Sequence, residues 1–243
     1  MVSSASSARL IQHLQAHAAA AARGYKANPQ GYVRSGDFPV HFQRFAVHEL
    51  RRRRIPPAPL TVGAMGRSKI RFSLHANKYV LGGYYPKEVD VWLHAEGSGP
   101  LLAISFKSMM TGVQQNINNR WEELIGDAAN IHSRFPMLAL GYIMVLPYMS
   151  TKGKLLTPEP LIDPMSGQPT STATSIERKL LAAAGRKQSV DLASSYEAIA
   201  LVVLDFSQSL PTVHPTFPDP ALRIEGFFDR LVGSFRERNR YLP

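Results

Sequence analysis

One aspartate and one lysine near the middle of the chain stand where charges are costly. In "KEVDVWLHAEGSGPLLAISFKS", Asp90 lies in one extended apolar stretch and Lys107 in the next. Residues two apart in a strand share a face, so Ser105 and Lys107 point the same way. Their neighbours Ile104 and Phe106 point into the opposite apolar layer. If the Gly-Ser-Gly turn pairs the two strands, Asp90 and Lys107 approach each other at one end of the sheet.

Such a pair is suited to hydrolysis of a phosphodiester. The aspartate offers an anionic oxygen to a divalent cation, and the lysine places an ammonium group beside it. The reaction needs charge neutralisation at the phosphate and a positioned, activated water. The alternative is structural: Asp90 ends a strand, and Lys107 buries its stem while its head stays in water. The apolar flanks of Lys107 favour the chemical interpretation.

The elements that hold these residues follow from periodicity and turn signals. Helices are predicted at about 6–23 and 40–54, before the strands "KIRFSLHA", "KYVLGGYYPKEVDVWLH" and "LLAISFKSM". The helix "INNRWEELIGDAANIHSRF", the strand "MLALGYIMVLP", the helix "SIERKLLAAAGRK", the strand "YEAIALVVLDF" and a closing helix from Asp219-Pro220 follow. This order predicts an antiparallel meander within a mixed sheet flanked by helices.

A single domain is expected for a chain of 243 residues with 44% hydrophobic content. Its predicted parts are an N-terminal helical part (1–55), a catalytic core (66–147), a loop or insertion (148–175) and a C-terminal helix-strand-helix (176–243). The third part is dense in proline, glycine, serine and threonine, which favours a loop.

The chain has Asp90, then a gap of 14 residues, and then Ser105-Phe106-Lys107. This pattern resembles the motif of the PD-(D/E)XK nuclease superfamily, to which many type II restriction endonucleases belong. The resemblance covers roughly residues 40 to 147 and implies an α/β (mixed α+β) fold with a restriction-endonuclease-like αβββαβ core. In that family the aspartate and the acid two before the lysine bind Mg²⁺. The backbone carbonyl between that acid and the lysine can also ligate, and the lysine positions or activates the water. The resemblance therefore implies Mg²⁺ ligands at Asp90 and the Phe106 carbonyl, with Lys107 at the water.

Ser105 departs from the family pattern, because a serine is a poor metal ligand where the family has an acid. Some restriction enzymes of the superfamily supply the carboxylate from the following helix. At about 100° per residue, Glu122 should flank the buried stripe of that helix, whereas Glu123 should point the opposite way. We therefore expect Glu122 to be the second metal ligand, with Glu88 and Glu49 as further candidates.

The chain carries 28 lysines and arginines against 18 acids, a net charge of +10, which predicts a polyanionic partner such as nucleic acid or an anionic membrane surface. Side chains suited to phosphates or base edges occur in three stretches, each with an ordinary alternative as a helix cap or a solvated end. The candidate DNA-binding residues are Asn116, Asn118, Asn119 and Arg120, then Arg51, Arg52 and Arg53, and finally Lys152 and Lys154.

Other metal sites and membrane segments are not expected. The chain has no cysteine, which excludes disulfides and thiolate ligands. His75, His94 and His132 lack metal-ligand spacing such as H-E-x-x-H, and His48-Glu49 lacks the second histidine of that motif. No apolar stretch is long enough to span a membrane, so a soluble protein of the prokaryotic cytoplasm is expected. The acid-free start of the chain loosely resembles an organelle transit peptide as an alternative to an ordinary helix.

The expected function is that of a Mg²⁺-dependent type II site-specific deoxyribonuclease that cuts double-stranded DNA as a homodimer. Two-fold symmetry lets two identical subunits meet a palindrome and cut one strand each. A repair or recombination nuclease of the same superfamily is one alternative, and a catalytically inactive DNA-binding module is the other. A companion DNA methyltransferase is implied by the restriction interpretation alone.

Overall fold

The computed structural model describes residues 4–27, 37–56, 60–62, 68–97, 99–152 and 157–240. The helices of these residues are α1 (Ser4–Ala27), α2 (Asp37–Arg52), α3 (Val113–Arg134), α4 (Ser171–Ala183) and α5 (Ile224–Arg238). The strands are β1 (Leu60–Val62), β2 (Ser68–Ile70), β3 (Phe72–Leu81), β4 (Pro86–Ala95), β5 (Gly99–Ser108), β6 (Ala139–Pro147), β7 (Met149–Lys152), β8 (Thr157–Pro160), β9 (Ala198–Asp205) and β10 (Thr212–Val213).

Six strands form one mixed sheet in the order β10-β9-β6-β5-β4-β3. Strands β3, β4 and β5 pair antiparallel, which confirms a meander. The predicted second strand at 78–94 is wrong in its bounds, because a bend at 82–85 assigns its first residues to β3 and the rest to β4. Strands β5, β6 and β9 pair parallel, with α3 and α4 as the crossover helices. A mixed α/β sheet flanked by helices is therefore confirmed.

Each face of the sheet carries its own hydrophobic core. Helices α1, α2 and α5 cover one face, where Phe42 stacks on Phe106 with ring centroids 4.6 Å apart. Helices α3 and α4 cover the other face through residues such as Leu124 and Ile176. Strand β6 is buried along its whole length because it lies between both layers, which explains its continuous apolar sequence.

The predicted loop at 148–175 is more ordered than its composition suggests. Strands β7 and β8 form a hairpin within it, and α4 begins at Ser171 rather than near residue 175. The hydroxyl of Thr170 accepts a hydrogen bond from the Ala173 N–H and so caps the helix. The same helix ends at Ala183, before Gly185 with its positive φ of 93°.

The closing helix begins later than its Asp-Pro signal indicates. Asp219 caps a short 3-10 turn at Pro220–Leu222 by accepting from the Ala221 N–H, and α5 then begins at Ile224. The signal marks a real start, but of the turn that precedes the helix.

Strands β4 and β5 separate at one end of the sheet. Their described pairing runs from Ala95–Gly99 to Val91–Ile104. Past that point β4 continues to pair with β3, and β5 continues to pair with β6. Asp90 and Ser105 are the first residues beyond the last pair, so a gap opens between the two strands at their position.

Candidate active site at the gap between β4 and β5

The carboxylate of Asp90 is held inside this gap by hydrogen bonds from two elements. The backbone N–H of Phe106 donates to Oδ2 over 2.7 Å. The side-chain amide of Gln43, from α2, donates to Oδ1 over 2.8 Å and to Oδ1 of Asn77 over 2.6 Å. Asn77 stands opposite Asp90 in β3 and has a positive φ of 50°, which asparagine tolerates better than most residues. Asp90 is therefore fixed in place before any ligand arrives.

Burial raises the pKa of Asp90 above its ordinary value. The hydrogen bonds from Phe106 and Gln43 and the charge of Lys107 act in the opposite direction without cancelling the effect. A carboxylate held at this cost in a partly dry gap is a common feature of functional sites, because a bound cation removes the cost.

The ammonium group of Lys107 is held by an acid of α3. Its Nζ lies 3.1 Å from Oε1 of Glu123, whose carboxylate also pairs with Lys87 at 3.4 Å and with Arg120. Burial raises the pKa of Glu123, but Lys107 and Arg120 outweigh it and lower the pKa to about 2. Glu123 is thus ionised and shared among three cations.

Asp90 and Lys107 open into one cleft of about 340 Å³. Its lining residues are Pro39, Gln43, Asn77, Lys87, Glu88, Asp90 and Lys107. Glu88 is exposed, lies two residues before Asp90 and lines the same cleft. In a strand the N–H and C=O of one residue face the same neighbour, so the Phe106 carbonyl faces the gap as its N–H does. Two carboxylates and two ammonium groups therefore line this cleft, beside the gap that the Phe106 carbonyl faces.

The predicted orientations of Glu122 and Glu123 are wrong, because α3 is rotated from its expected position. Glu122 is exposed, and Glu123 is the acid that contacts Lys107. The apolar stripe that helical spacing predicts, Ile117, Trp121, Leu124, Ile125 and Ala128, is confirmed at Leu124 and Ala128, which are buried with Ile131. Its other members, Ile117, Trp121 and Ile125, are only half-buried. Residues one helical turn from Glu123 share its face, which brings Arg120 and Asp127 to the same side.

Asp127 was not expected at this site, although it lies at helical spacing from Glu123. It is buried, and its Oδ2 lies 2.6 Å from Nζ of Lys87. The hydroxyl of Tyr85 donates to its Oδ1 over 3.3 Å. Burial raises the pKa of Asp127, although Lys87 acts against the increase. This pair holds Lys87 at the edge of the cleft.

The side chain of Ser105 is buried on the α3 side of the sheet, as the alternation within β5 predicts. Ile104 and Phe106 pack into the opposite core with α2, which confirms that part of the prediction. Lys107 leaves the core on the Ser105 side and reaches the cleft.

Glu49 does not reach the cleft, and α2 contributes Gln43 instead. Glu49 lies six residues, or about 9 Å, further along the helix. Its carboxylate is buried against Arg52 and Arg53, at 3.1 and 2.9 Å. Burial raises the pKa of Glu49, but these arginines and His13 more than offset it, so the pKa is lowered. The sequence feature that could have identified Gln43 is its place as a polar residue on the apolar helix face of Phe42, Phe45 and Ala46.

The arginines predicted to contact DNA differ in their availability. Arg53 pairs with both Glu49 and Asp229, so it joins α2 to α5. Arg52 pairs with Glu49, and Arg120 pairs with Glu123. Arg51 is exposed on the wall of a second cleft.

The remaining candidates lie near the start of α3 and in the β7–β8 hairpin. The Asn116 amide donates to the Gly112 carbonyl, as a helix-start residue does. Asn118 and Asn119 are exposed on α3. Lys152 ends β7, and Lys154 lies outside the described residues.

No protein-family model, no curated protein and no solved structure matches this chain. Among the described residues, no helix is both long enough and apolar enough to cross a membrane.

Proposed function

We propose that this protein is a Mg²⁺-dependent endodeoxyribonuclease with a restriction-endonuclease-like core. The observation that carries the proposal is the placement of Asp90. Its carboxylate lies in the gap where β4 and β5 separate, and it shares a cleft with Glu88 and Lys107. The order α2, β3 to β5, α3, β6 is also the order that the resemblance to PD-(D/E)XK nucleases implies.

The donor atoms around Asp90 fit a hard divalent cation. We assign Asp90, Glu88 and the Phe106 carbonyl as the residues that would hold Mg²⁺, which prefers oxygen and keeps several waters. Each oxygen of the Asp90 carboxylate accepts one described hydrogen bond and so retains a lone pair. When bound, the ion would neutralise phosphate charge and lower the pKa of a bound water.

Lys107 supplies the fixed positive charge of the proposed reaction. Its ammonium group donates hydrogen bonds to the attacking water and to the phosphate, so that the water meets the phosphorus from a defined direction. Glu123 positions Lys107 through their 3.1 Å ion pair. Glu123, the acid on α3, therefore acts through Lys107. Glu88 takes the metal-binding role that the sequence predicts for Glu122.

The charge of the chain favours DNA as the substrate. The net charge is +10, and a second cleft of about 500 Å³ shares Gln43 and Asn77 with the first. Arg44 and Arg51 of α2 line that second cleft. A phosphate backbone that follows both clefts would pass these cations before it reaches Asp90.

We further propose cleavage of both strands by a homodimer, as in type II restriction, with a companion methyltransferase as the corresponding partner. Two copies related by a two-fold axis present two such clefts to one duplex. The repair or recombination alternative needs one cleft and no palindrome. Ser105 favours the third candidate, an inactive DNA-binding module, because the strand lacks the acid beside Lys107.

Incubation of the purified protein with supercoiled plasmid, with Mg²⁺ or with EDTA, separates these candidates. We expect cleavage with Mg²⁺ alone, and discrete fragments if recognition is sequence-specific. A smear would favour repair or recombination. DNA binding without cleavage at any divalent-ion concentration would contradict the enzyme and favour the inactive module.

A further inference from the structure

A second cluster of ligand side chains lies between α1 and α2, six residues along α2 from Gln43. His13 of α1 and His48 and Glu49 of α2 offer ligand atoms that all lie within 4.8 Å of one another. Nδ1 of His13 is 3.2 Å from Oε1 of Glu49, and Nδ1 of His48 is 3.9 Å from the same oxygen. Among the described residues, this is the one group of three such side chains close enough to hold a metal ion.

The spacing of these atoms is close to that of a tetrahedral metal site. With ligand bonds of 2.0–2.1 Å, the ligand atoms of a zinc site lie about 3.3 Å apart. The His13–Glu49 distance of 3.2 Å already matches, whereas the ligand atom of His48, 3.9 Å from Glu49, would have to move closer when a metal binds. The His13 and His48 rings are neighbours, with centroids 4.5 Å apart.

We propose that His13, His48 and Glu49 bind a divalent transition-metal ion of the zinc type, with water completing the coordination. Two imidazoles and a carboxylate suit Zn²⁺, Co²⁺ or Ni²⁺ better than Mg²⁺, which prefers oxygen ligands alone. The His48 side chain is 58% exposed, and both histidines line the cleft of about 500 Å³, which gives the ion an entry path.

His17 orients His13 for this role. Nε2 of His17 lies 3.1 Å from Nε2 of His13, one helical turn away. Without a metal, Nδ1–H of His13 donates to Glu49 and Nε2 accepts from His17. A metal at Nδ1 would require the other tautomer, in which the proton lies on Nε2 and His17 accepts it. Such an outer hydrogen bond is a regular feature of ligating histidines because it fixes the tautomer.

Two arginines compete for the same carboxylate, and they differ in how they do so. Arg53 takes the other oxygen, Oε2, over 2.9 Å and can remain there when a metal binds. Arg52 lies 3.1 Å from Oε1 itself, and its side chain is 43% exposed. A cation bound at Oε1 would repel Arg52 toward solvent. Arg52 therefore sets a penalty on metal binding that its removal would relieve.

The first test is a titration with Co²⁺ alone, followed by its visible absorption, in the full chain carrying Asp90→Ala. That substitution removes the ligand of the proposed nuclease site, so the signal reports the histidine cluster. We expect one equivalent to bind, with Zn²⁺ displacing it and excess Mg²⁺ leaving it in place. Adding His13→Gln or His48→Gln should weaken binding at least tenfold.

The matched control is His75→Gln, another half-buried histidine, whose ring lies 6.2 Å from Trp92. It should leave the Co²⁺ titration unchanged. Equal weakening in the control, or unchanged binding in His13→Gln, would overturn the proposal.

A substitution that removes no ligand provides a second test, in case a ligand variant folds poorly. Arg52→Gln should tighten Co²⁺ binding several-fold, because it removes the competing cation and keeps all three ligands. Zn²⁺ should also raise the unfolding temperature of the wild-type chain, since it binds the folded state across two helices. Unchanged or weaker Co²⁺ binding in Arg52→Gln would contradict coordination at Glu49.

Discussion

The central residue, Asp90, is held in a position that costs stability. Its carboxylate is confined between strands, and burial raises its pKa despite two hydrogen bonds and a nearby lysine. A side chain that only ended a strand would turn toward water instead. The stability cost is explained if Asp90 binds a cation, because functional sites often give up stability for preorganised charge.

Asp90→Asn should abolish cleavage, and its amide group replaces one of the two oxygens that accept hydrogen bonds. A carboxyl whose pKa is raised on folding favours the native state only when protonated, so its penalty develops as pH rises through the pKa of the unfolded and then the folded state. The stability of the variant relative to wild type should therefore rise by about 0.5–2 kcal/mol between pH 3.5 and pH 7, because only the wild type acquires the buried charge. Chemical unfolding of both proteins at the two pH values measures this, and a difference in stability that does not change with pH would contradict it.

Substitutions of the three glutamates near the cleft should differ in the kind of cleavage defect that each produces. Glu88→Gln removes a proposed metal ligand, so it should raise the Mg²⁺ concentration needed for half-maximal cleavage about tenfold or more. Glu123→Gln should lower the maximal rate with less change in Mg²⁺ dependence, because it releases Lys107. Cleavage rates across a Mg²⁺ titration separate the two effects.

Glu122→Gln is the matched control, since Glu122 is exposed one residue from Glu123. It should be nearly silent. A large Mg²⁺ defect in Glu123→Gln with a silent Glu88→Gln would transfer the metal-binding role to the helix acid.

At the scale of elements, the sequence predicts strands better than it predicts the rotation of helices. The alternation in β5 correctly separates Ser105 and Lys107 from Ile104 and Phe106, because a period of two leaves only two faces. Successive side chains in α3 are rotated by about 100° around the helix axis. A small error in the predicted buried face is therefore enough to exchange the orientations of Glu122 and Glu123. Packing against the sheet buries Leu124 more fully than Ile125, and a single sequence does not contain that information.

The helix α5 is anchored by a buried charge cluster that connects three elements. Glu197, just before β9, lies 2.6 Å from both Arg186 and Arg238 and accepts from the Leu140 N–H over 2.7 Å. All three charged side chains are almost fully buried. The acid is therefore the described ion-pair partner of both cations, and Asp191 also attracts them electrostatically.

Glu197→Gln should destabilise the protein by about 3–5 kcal/mol, because it leaves two buried arginines without their ion-pair partner. Glu237→Gln, in the same region but exposed with its weak pair at 3.9 Å, should change stability by less than about 0.5 kcal/mol. Urea unfolding of both variants provides the comparison. Equal small effects would show that the cluster contributes little to folding.

At the scale of the whole molecule, the sheet and its helical layers were predictable, whereas the contacts between distant segments were not. The order of elements from α2 to β6 followed from periodicity and turn signals. Gln43 and His13 act across long separations, since Gln43 meets Asp90 over 47 residues and His13 meets Glu49 over 36. Such pairings depend on how helices pack, which local patterns do not report.

The net charge of +10 predicts DNA binding that weakens steeply with salt. Each neutralised phosphate contributes a slope near −0.9 in log K against log salt. Arg44→Gln and Arg51→Gln, on the wall of the second cleft, should each reduce the slope by about one unit. Fluorescence anisotropy across a salt series measures it, with the exposed Arg240→Gln as control. Unchanged salt slopes in both variants would show that the DNA does not contact the second cleft.

The most direct test of the account compares wild type, Asp90→Ala and Lys107→Ala in parallel cleavage and DNA-binding assays. With Mg²⁺ present, we expect wild type to cut plasmid DNA and both variants to lose at least about a thousandfold in rate, as removal of a group that stabilises a transition state does. DNA binding and the unfolding temperature should stay close to wild type. Substantial cleavage by either variant, or no cleavage by the wild-type protein, would contradict the central claim that Asp90 and Lys107 form a nuclease site.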